Sequence, residues 1–368
     1  MSEIKFITGL FSVMFALVAF FISLSLRLKL GPQKDAKKTE ERIFIQLVNI
    51  LIICSILNPI LYCVNGMNVA AAKYILIIVN TACMVFYLLF MFMWMNFVDY
   101  KFFHSRSRIE RQGKKAFIPL AAMLLLLLVN LPTGILFSIN EKNEIDQHPL
   151  FLIGIFIQLA YLFYTTLLVK KFKDLYGGLH FFSIKEFVIP FLAGVIFQFV
   201  LRDQVFVTLA SAIGLTTIYI NLLREKIYID PTSDLYNNYF LTKVFDEIRA
   251  GDYDFKSAIL FELVPKDAGS GHISMIGETA KAVREVIEKV MPEGCETIYM
   301  GNGELLVLTK VNVEQEAAIK MLGEMFKETI KLFGYEDFSV QSSYAFRNDG
   351  QSAEEFLRSF GTNEEVAA

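Results

Sequence analysis

Seven runs of apolar residues, at 5–26, 43–64, 73–98, 116–139, 150–170, 184–201 and 204–223, fill the chain up to Leu223. A bilayer core about 30 Å thick is crossed by roughly 20 apolar residues of helix, so each run has the length of a transmembrane span. Runs of this length cross as helices, because every backbone N–H and C=O must be paired without water. The sixth and seventh runs are separated only by Leu201-Arg202-Asp203-Gln204. Fused, they would make one overlong span broken by two charges, so two short spans are expected; six spans is the alternative. The run after Lys5 is too long for a cleavable signal and lacks a small-residue cleavage site, which makes it the first span.

Orientation follows from the basic residues. Arg27, Lys29, Lys34, Lys37, Lys38 and Arg42 follow the first span, and Lys101, Arg106, Arg108, Arg111, Lys114 and Lys115 follow the third. Lys170, Lys171, Lys173 and Lys185 lie in the loop after the fifth, whereas the alternate loops carry Lys73, Lys142 and Arg202 singly. The alternation predicts a multi-pass protein of the plasma membrane, with its N-terminus outside and everything after Leu223 in the cytoplasm.

No Asp, Glu, Lys, Arg or His stands near the centre of a predicted span. Ion-coupled transport, which needs charge at mid-membrane, is therefore disfavoured. So are HExxH metalloprotease chemistry and a retinal Schiff base, the last span having no Lys. The polar groups that remain are amides. Asn58, Asn80, Asn130, Gln158 and Gln198 are candidates to line a pocket for a small uncharged ligand, with interhelical hydrogen bonding as the simpler role. Asn58-Pro59, Asn130-Leu-Pro132 and Pro190 add expected kinks.

Charge divides where hydropathy does. Before Arg224 there are 20 Lys and Arg against 12 Asp and Glu; from Arg224 onward there are 15 against 26. The acidic half argues against a nucleic-acid partner. Cys54, Cys63, Cys83 and Cys295 show no CxxC spacing, so neither zinc nor a disulfide framework is expected.

Beyond Ile227 the periodicity predicts a helix over 236–249, a strand over 257–264 and a helix over 273–290. A hairpin of strands 296–300 and 304–309 follows around Gly301-Asn302-Gly303, then a helix over 313–333 and a strand over 338–346. The order points to a small α+β sheet, ferredoxin-like in character, with helices on one face.

The segment Asp230-Pro-Thr-Ser-Asp-Leu-Tyr-Asn237 resembles the DxLTGLxN entry of GGDEF domains, the diguanylate cyclase fold. Gly271-His272 with Gly277-Glu278 resembles that family's GHxxGD. Gly301-Asn302-Gly303-Glu304-Leu305 falls where the GGDEF signature belongs, and Phe338 to Ala345 where its VTxSxGxA strand should be. The resemblance covers about 230–360 and rests on the ordered series rather than on one motif. It implies GTP chemistry on two metal ions, run through carboxylates at the hairpin and at the end of the first strand.

The departures bear on activity. Asn302 replaces the second glycine, and Gly303 replaces the metal-binding carboxylate. Glu262 is a weak metal candidate on the first strand; Asp267 and Glu278 are the nucleotide-binding candidates, Glu278 standing where a different guanine contact is expected. The inhibitory RxxD would fall on Pro-Glu-Gly-Cys at 292–295, and the closing basic segment has no counterpart. The resemblance therefore implies a degenerate signature with no catalytic residue assigned, no cofactor, and Mg²⁺ only if the domain is active.

The expected fold is a membrane all-α domain of about seven helices at 1–223, a helical linker at 224–229 and a cytoplasmic α+β GGDEF-like domain at 230–368. The function it suggests is a membrane signal receptor with an inactive reporting domain that binds nucleotide or protein. An active diguanylate cyclase with atypical metal ligands, and a permease or lipid-binding protein with a soluble appendix, are the alternatives. Membrane lipid, a homodimer through the cytoplasmic domain and a cytoplasmic protein are the expected partners.

Overall fold

The computed structural model describes residues 2–31, 39–103, 106–176, 181–201, 205–233, 235–250, 253–265, 286, 295–301, 303–309, 316–332 and 338–360. The chain divides into two compact units: Met1–Lys171 with Phe182–Asn221, and Phe172–Phe181 with Leu222–Ala368.

The first unit is helical. α1 (Ser2–Lys29), α2 (Thr39–Val64), α3 (Ala72–Phe103), α4 (Arg106–Thr133), α5 (Leu152–Tyr176), α6 (Lys185–Leu201) and α7 (Val205–Lys226) follow in order. Six of them, all but α6, are long and apolar enough to cross a membrane. α6 has 17 residues with Pro190 inside. The unit wears its apolar residues outward: Phe21, Ile118, Leu125, Phe156, Phe163 and Ile189 are each more than 60% exposed. A surface so continuously apolar belongs against another apolar phase. Inside, Trp94 stacks on Phe187 at 3.8 Å between centroids.

The fourth helix ends before the expected 139. Pro132 sits in its last turn, and Gly134 takes φ +65°, a left-handed C-terminal stop that glycine adopts without strain. The chain then forms a small antiparallel hairpin of β1 (Phe137–Ile139) and β2 (Ile145–Gln147). Asn143, at φ +55°, supports its turn.

The second unit holds a five-stranded sheet of β3 (Tyr236–Asn237), β4 (Ser257–Pro265), β5 (Glu296–Gly301), β6 (Glu304–Thr309) and β7 (Phe338–Phe346). Its order is β3-β5-β6-β4-β7, with β5–β6, β6–β4 and β4–β7 antiparallel and the short β3 parallel to β5. α8 (Asn238–Ala250), α9 (Glu316–Leu332) and α10 (Ala353–Arg358) complete the described elements.

Helices cover both faces of the sheet, not one as expected. Ala258, Ile298, Leu306 and Leu308 share a core with Phe240, Val244 and Phe245 of α8 and Phe356 of α10. On the opposite side of the pleat, Phe261 stacks on Phe326 of α9 at 4.2 Å. Strands apolar on both faces need cover on both. The expected helix 273–290 lies outside the described residues, apart from the buried, helical Val286.

The expected linker 224–229 is α-helical only to Lys226. The N–H groups of Ile227, Tyr228 and Ile229 then donate to carbonyls three residues back, and Ile229 bridges Tyr236. The helix tightens and stops because the backbone of Tyr228 and Ile229 is taken into the sheet entry.

Candidate functional site

The helical unit is tied together by a polar knot. Asn58 of α2, just before Pro59, is 1% exposed and donates through Nδ2 to Tyr87 Oη at 2.7 Å and to Thr208 Oγ1 at 2.9 Å. Tyr87 Oη and Thr208 Oγ1 are 2.5 Å apart. The Cys83 thiol donates to Asn58 Oδ1 at 3.8 Å. Both amide hydrogens of Asn58 are used, which removes the cost of a buried unpaired amide and joins α2, α3 and α7.

Tyr87 also walls a cavity of about 540 Å³ of empty volume, part of it open to the exterior. Met84 and Leu88 of α3, Phe151 just before α5, Gly154, Ile155, Gln158 and Leu159 of α5, Phe191, Val195 and Gln198 of α6, and Val207 of α7 line it. Two of the five predicted pocket amides, Gln158 and Gln198, thus come together. Asn58 stands one residue behind them, through Tyr87.

The other two lie elsewhere. Asn130 Oδ1 accepts from the backbone N–H of Leu136 at 2.7 Å and of Phe137 at 3.2 Å, so it holds the chain leaving α4. Asn80 is 1% exposed, is not among the cavity residues, and its Nδ2 has no partner among the described residues. Tyr87 and Thr208 were missed by sequence reasoning that counted amides alone. A tyrosine inside an apolar run was the available signal, since a buried phenol needs a partner.

In the second unit the sheet entry is built on Asp230. Its Oδ1 accepts from the backbone N–H groups of Thr232 and Ser233 at 3.1 and 2.7 Å, and from their hydroxyls at 2.6 and 2.8 Å. Partial burial raises its pKa, but these four donors outweigh burial and hold the carboxyl below its usual range. Tyr236 stacks on Phe240 at 3.8 Å and donates to Glu225 Oε1 at 3.0 Å. Phe181, a residue far back in the chain, stacks on Tyr228 at 5.0 Å, with Lys243 Nζ 5.0 Å from the centre of its ring.

The β5–β6 hairpin carries the degenerate signature. Gly301 has φ +100° and Gly303 φ +88°, and Gly301 pairs with Glu304 across the turn. Leu305 is fully buried opposite Phe261. Glu304 is in register with Glu262 on β4, so the two carboxylates share one face of neighbouring strands. Partial burial, then the charge of Glu262, raises the Glu304 carboxyl above its usual range. Among the described residues no three His, Cys, Asp or Glu side chains converge. Asn302, Asp267 and Glu278 lie outside the described residues.

No family model and no curated protein matches the chain. Among solved structures it is similar to the diguanylate cyclase SiaD of Pseudomonas aeruginosa, crystallised with its activator SiaC. The identity is 13% and the TM-score 0.32, over 58% of this chain and 85% of that one.

Proposed function

We propose that this chain is a signal receptor of the plasma membrane, with seven spans that sense and a cytoplasmic GGDEF-like domain that reports without cyclase activity. The observation that carries the reading is Gly303. It stands where the signature needs a metal-binding carboxylate, and its φ of +88° is a conformation that side-chain-bearing residues rarely adopt. The sheet order supports the domain assignment, because β5-β6-β4-β7, antiparallel throughout, is the arrangement of a ferredoxin-like fold. With α6 as the sixth span, at the short end of the usual range, the helices number seven spans. In this reading the domain acts by binding nucleotide or a cytoplasmic protein, with a homodimer through that domain and lipid around the helices. The acidic charge after Arg224 argues against nucleic acid.

The facing pair Glu262 and Glu304 favours one rival, an active cyclase. Mg²⁺ held by these two carboxylates would take its remaining ligands from phosphate and water and neutralise charge on GTP. The test is full-length protein in nanodiscs with GTP and Mg²⁺ or Mn²⁺, the products separated by chromatography. No cyclic di-GMP is expected. Product that disappears in Glu262→Ala or Glu304→Ala would establish the rival instead.

A further inference from the structure

The cavity between α3, α5, α6 and α7 has a chemistry of its own. Among the described residues, neither Gln158 nor Gln198 has a hydrogen-bond partner in the protein, although both line an apolar chamber. Both side chains are partly buried, so their amides remain open to whatever occupies the chamber. The remaining wall is almost wholly apolar, typified by Phe191 and Val195, and no charged side chain lines it. The Tyr87 hydroxyl is already engaged by Asn58 and Thr208. The two glutamines are therefore the groups left to bind a ligand, each offering two donors and one acceptor.

We propose that this cavity binds an uncharged, mainly aliphatic molecule bearing one hydroxyl or amide group, which Gln158 and Gln198 recognise while its chain lies against the apolar wall. A carboxylate or ammonium head group is rejected, because its charge would be desolvated with no counter-ion in reach. The proposal deepens the receptor reading by naming the ligand class, and rests on that reading for its role. Its test measures binding alone, so failure here leaves the cyclase result untouched, and the reverse.

The experiment uses full-length protein in phosphatidylcholine nanodiscs and an octanol analogue carrying an aliphatic diazirine and a terminal alkyne, with adducts mapped by mass spectrometry. Label on Phe191 and Val195 is expected to exceed label on Phe156 and Ile189, which are 65% and 64% exposed on the outside of the unit. Octanol should compete, and octanoate at neutral pH should compete roughly tenfold more weakly or worse. Gln158→Leu with Gln198→Leu should weaken octanol competition by roughly tenfold, the order expected for losing one net hydrogen bond. Val195→Phe, which narrows the chamber, should remove the competed label; if that variant does not fold, the glutamine variant carries the test. Equal labelling inside and outside, equal competition by octanoate, or a folded double variant with unchanged competition would each overturn the proposal.

Discussion

Glu262 and Glu304 stand directly opposite each other on β4 and β6. Like charges in register repel, by roughly 0.2–1 kcal/mol for such cross-strand pairs. Because the Glu304 pKa is raised on folding, its contribution to stability is complete below the ordinary carboxylate range and is lost as pH rises through the raised value. This one contribution should therefore weaken as pH climbs out of the acid range, against the opposite trend from the lowered carboxyl of Asp230. Glu304→Gln should raise the second unit's urea midpoint at neutral pH and remove that contribution, as read by pulse proteolysis of the intact protein. A lowered midpoint in the variant would contradict the repulsion.

Asn130 gives a contrast with the cavity amides. Asn130→Ala leaves the backbone N–H groups of Leu136 and Phe137 without their acceptor, at a cost of about 1–3 kcal/mol. A lower melting temperature is expected, followed through Trp94, the single and fully buried tryptophan. Octanol-probe labelling of Phe191 should stay the same. Loss of labelling with unchanged stability would move Asn130 into the binding site.

At Gly194 the packing of α6 on α7 leaves no room for a side chain. A Cβ there would lie 2.8 Å from both Ala210 Cβ and the Phe206 carbonyl oxygen. Gly194→Ala should destabilise by about 1–3 kcal/mol, the range for overpacked cores. The matched control is Gly9→Ala, where nothing lies within 4 Å. It should be neutral or stabilising by up to about 1 kcal/mol, since alanine suits a helix better. Equal melting temperatures for the two variants would mean that α6 and α7 are not in close contact.

Sidedness turns on α6. Counted as a span, it returns the chain after α7 to the side opposite the N-terminus; left out, it puts both on one side. A periplasmic-type reporter after Asn143 should read outside, and a fluorescent reporter after Glu365 or Arg108 should read as cytoplasmic. A reporter after Glu365 that reads on the same side as one after Asn143 would end the seven-span arrangement.

Hydropathy made the helices legible because a span declares itself over some twenty residues, and α6 and α7 begin within a residue of expectation. Short elements left weaker traces. The β1–β2 hairpin is three residues a strand, and β1 at Phe137–Ile139 falls within the fourth apolar run at 116–139. The knot of Asn58, Tyr87 and Thr208 joins residues 150 positions apart, which no local pattern encodes. Gln158 and Gln198 could be nominated from residue type, but their meeting depends on how α5 and α6 pack. In the second unit, the period-2 runs gave β4 to β7 closely. Apolar residues on both faces of β4 and β6 were the overlooked sign that helices cover both sides.

The pairing of Phe181 with Tyr228 bears on how the protein is made and how it can be divided. The second unit is not one continuous stretch: it includes Phe172–Phe181, synthesised before α6 and α7, while the next residue, Phe182, packs against Phe97 and Phe102 of the first. A recombinant fragment begun at Leu222 would lack the Phe181 ring that stacks on Tyr228. Its behaviour in solution would report the missing segment as much as the domain. During translation, the ring of Phe181 must wait for α6 and α7 before its partners emerge, so the completion of this core is a late event.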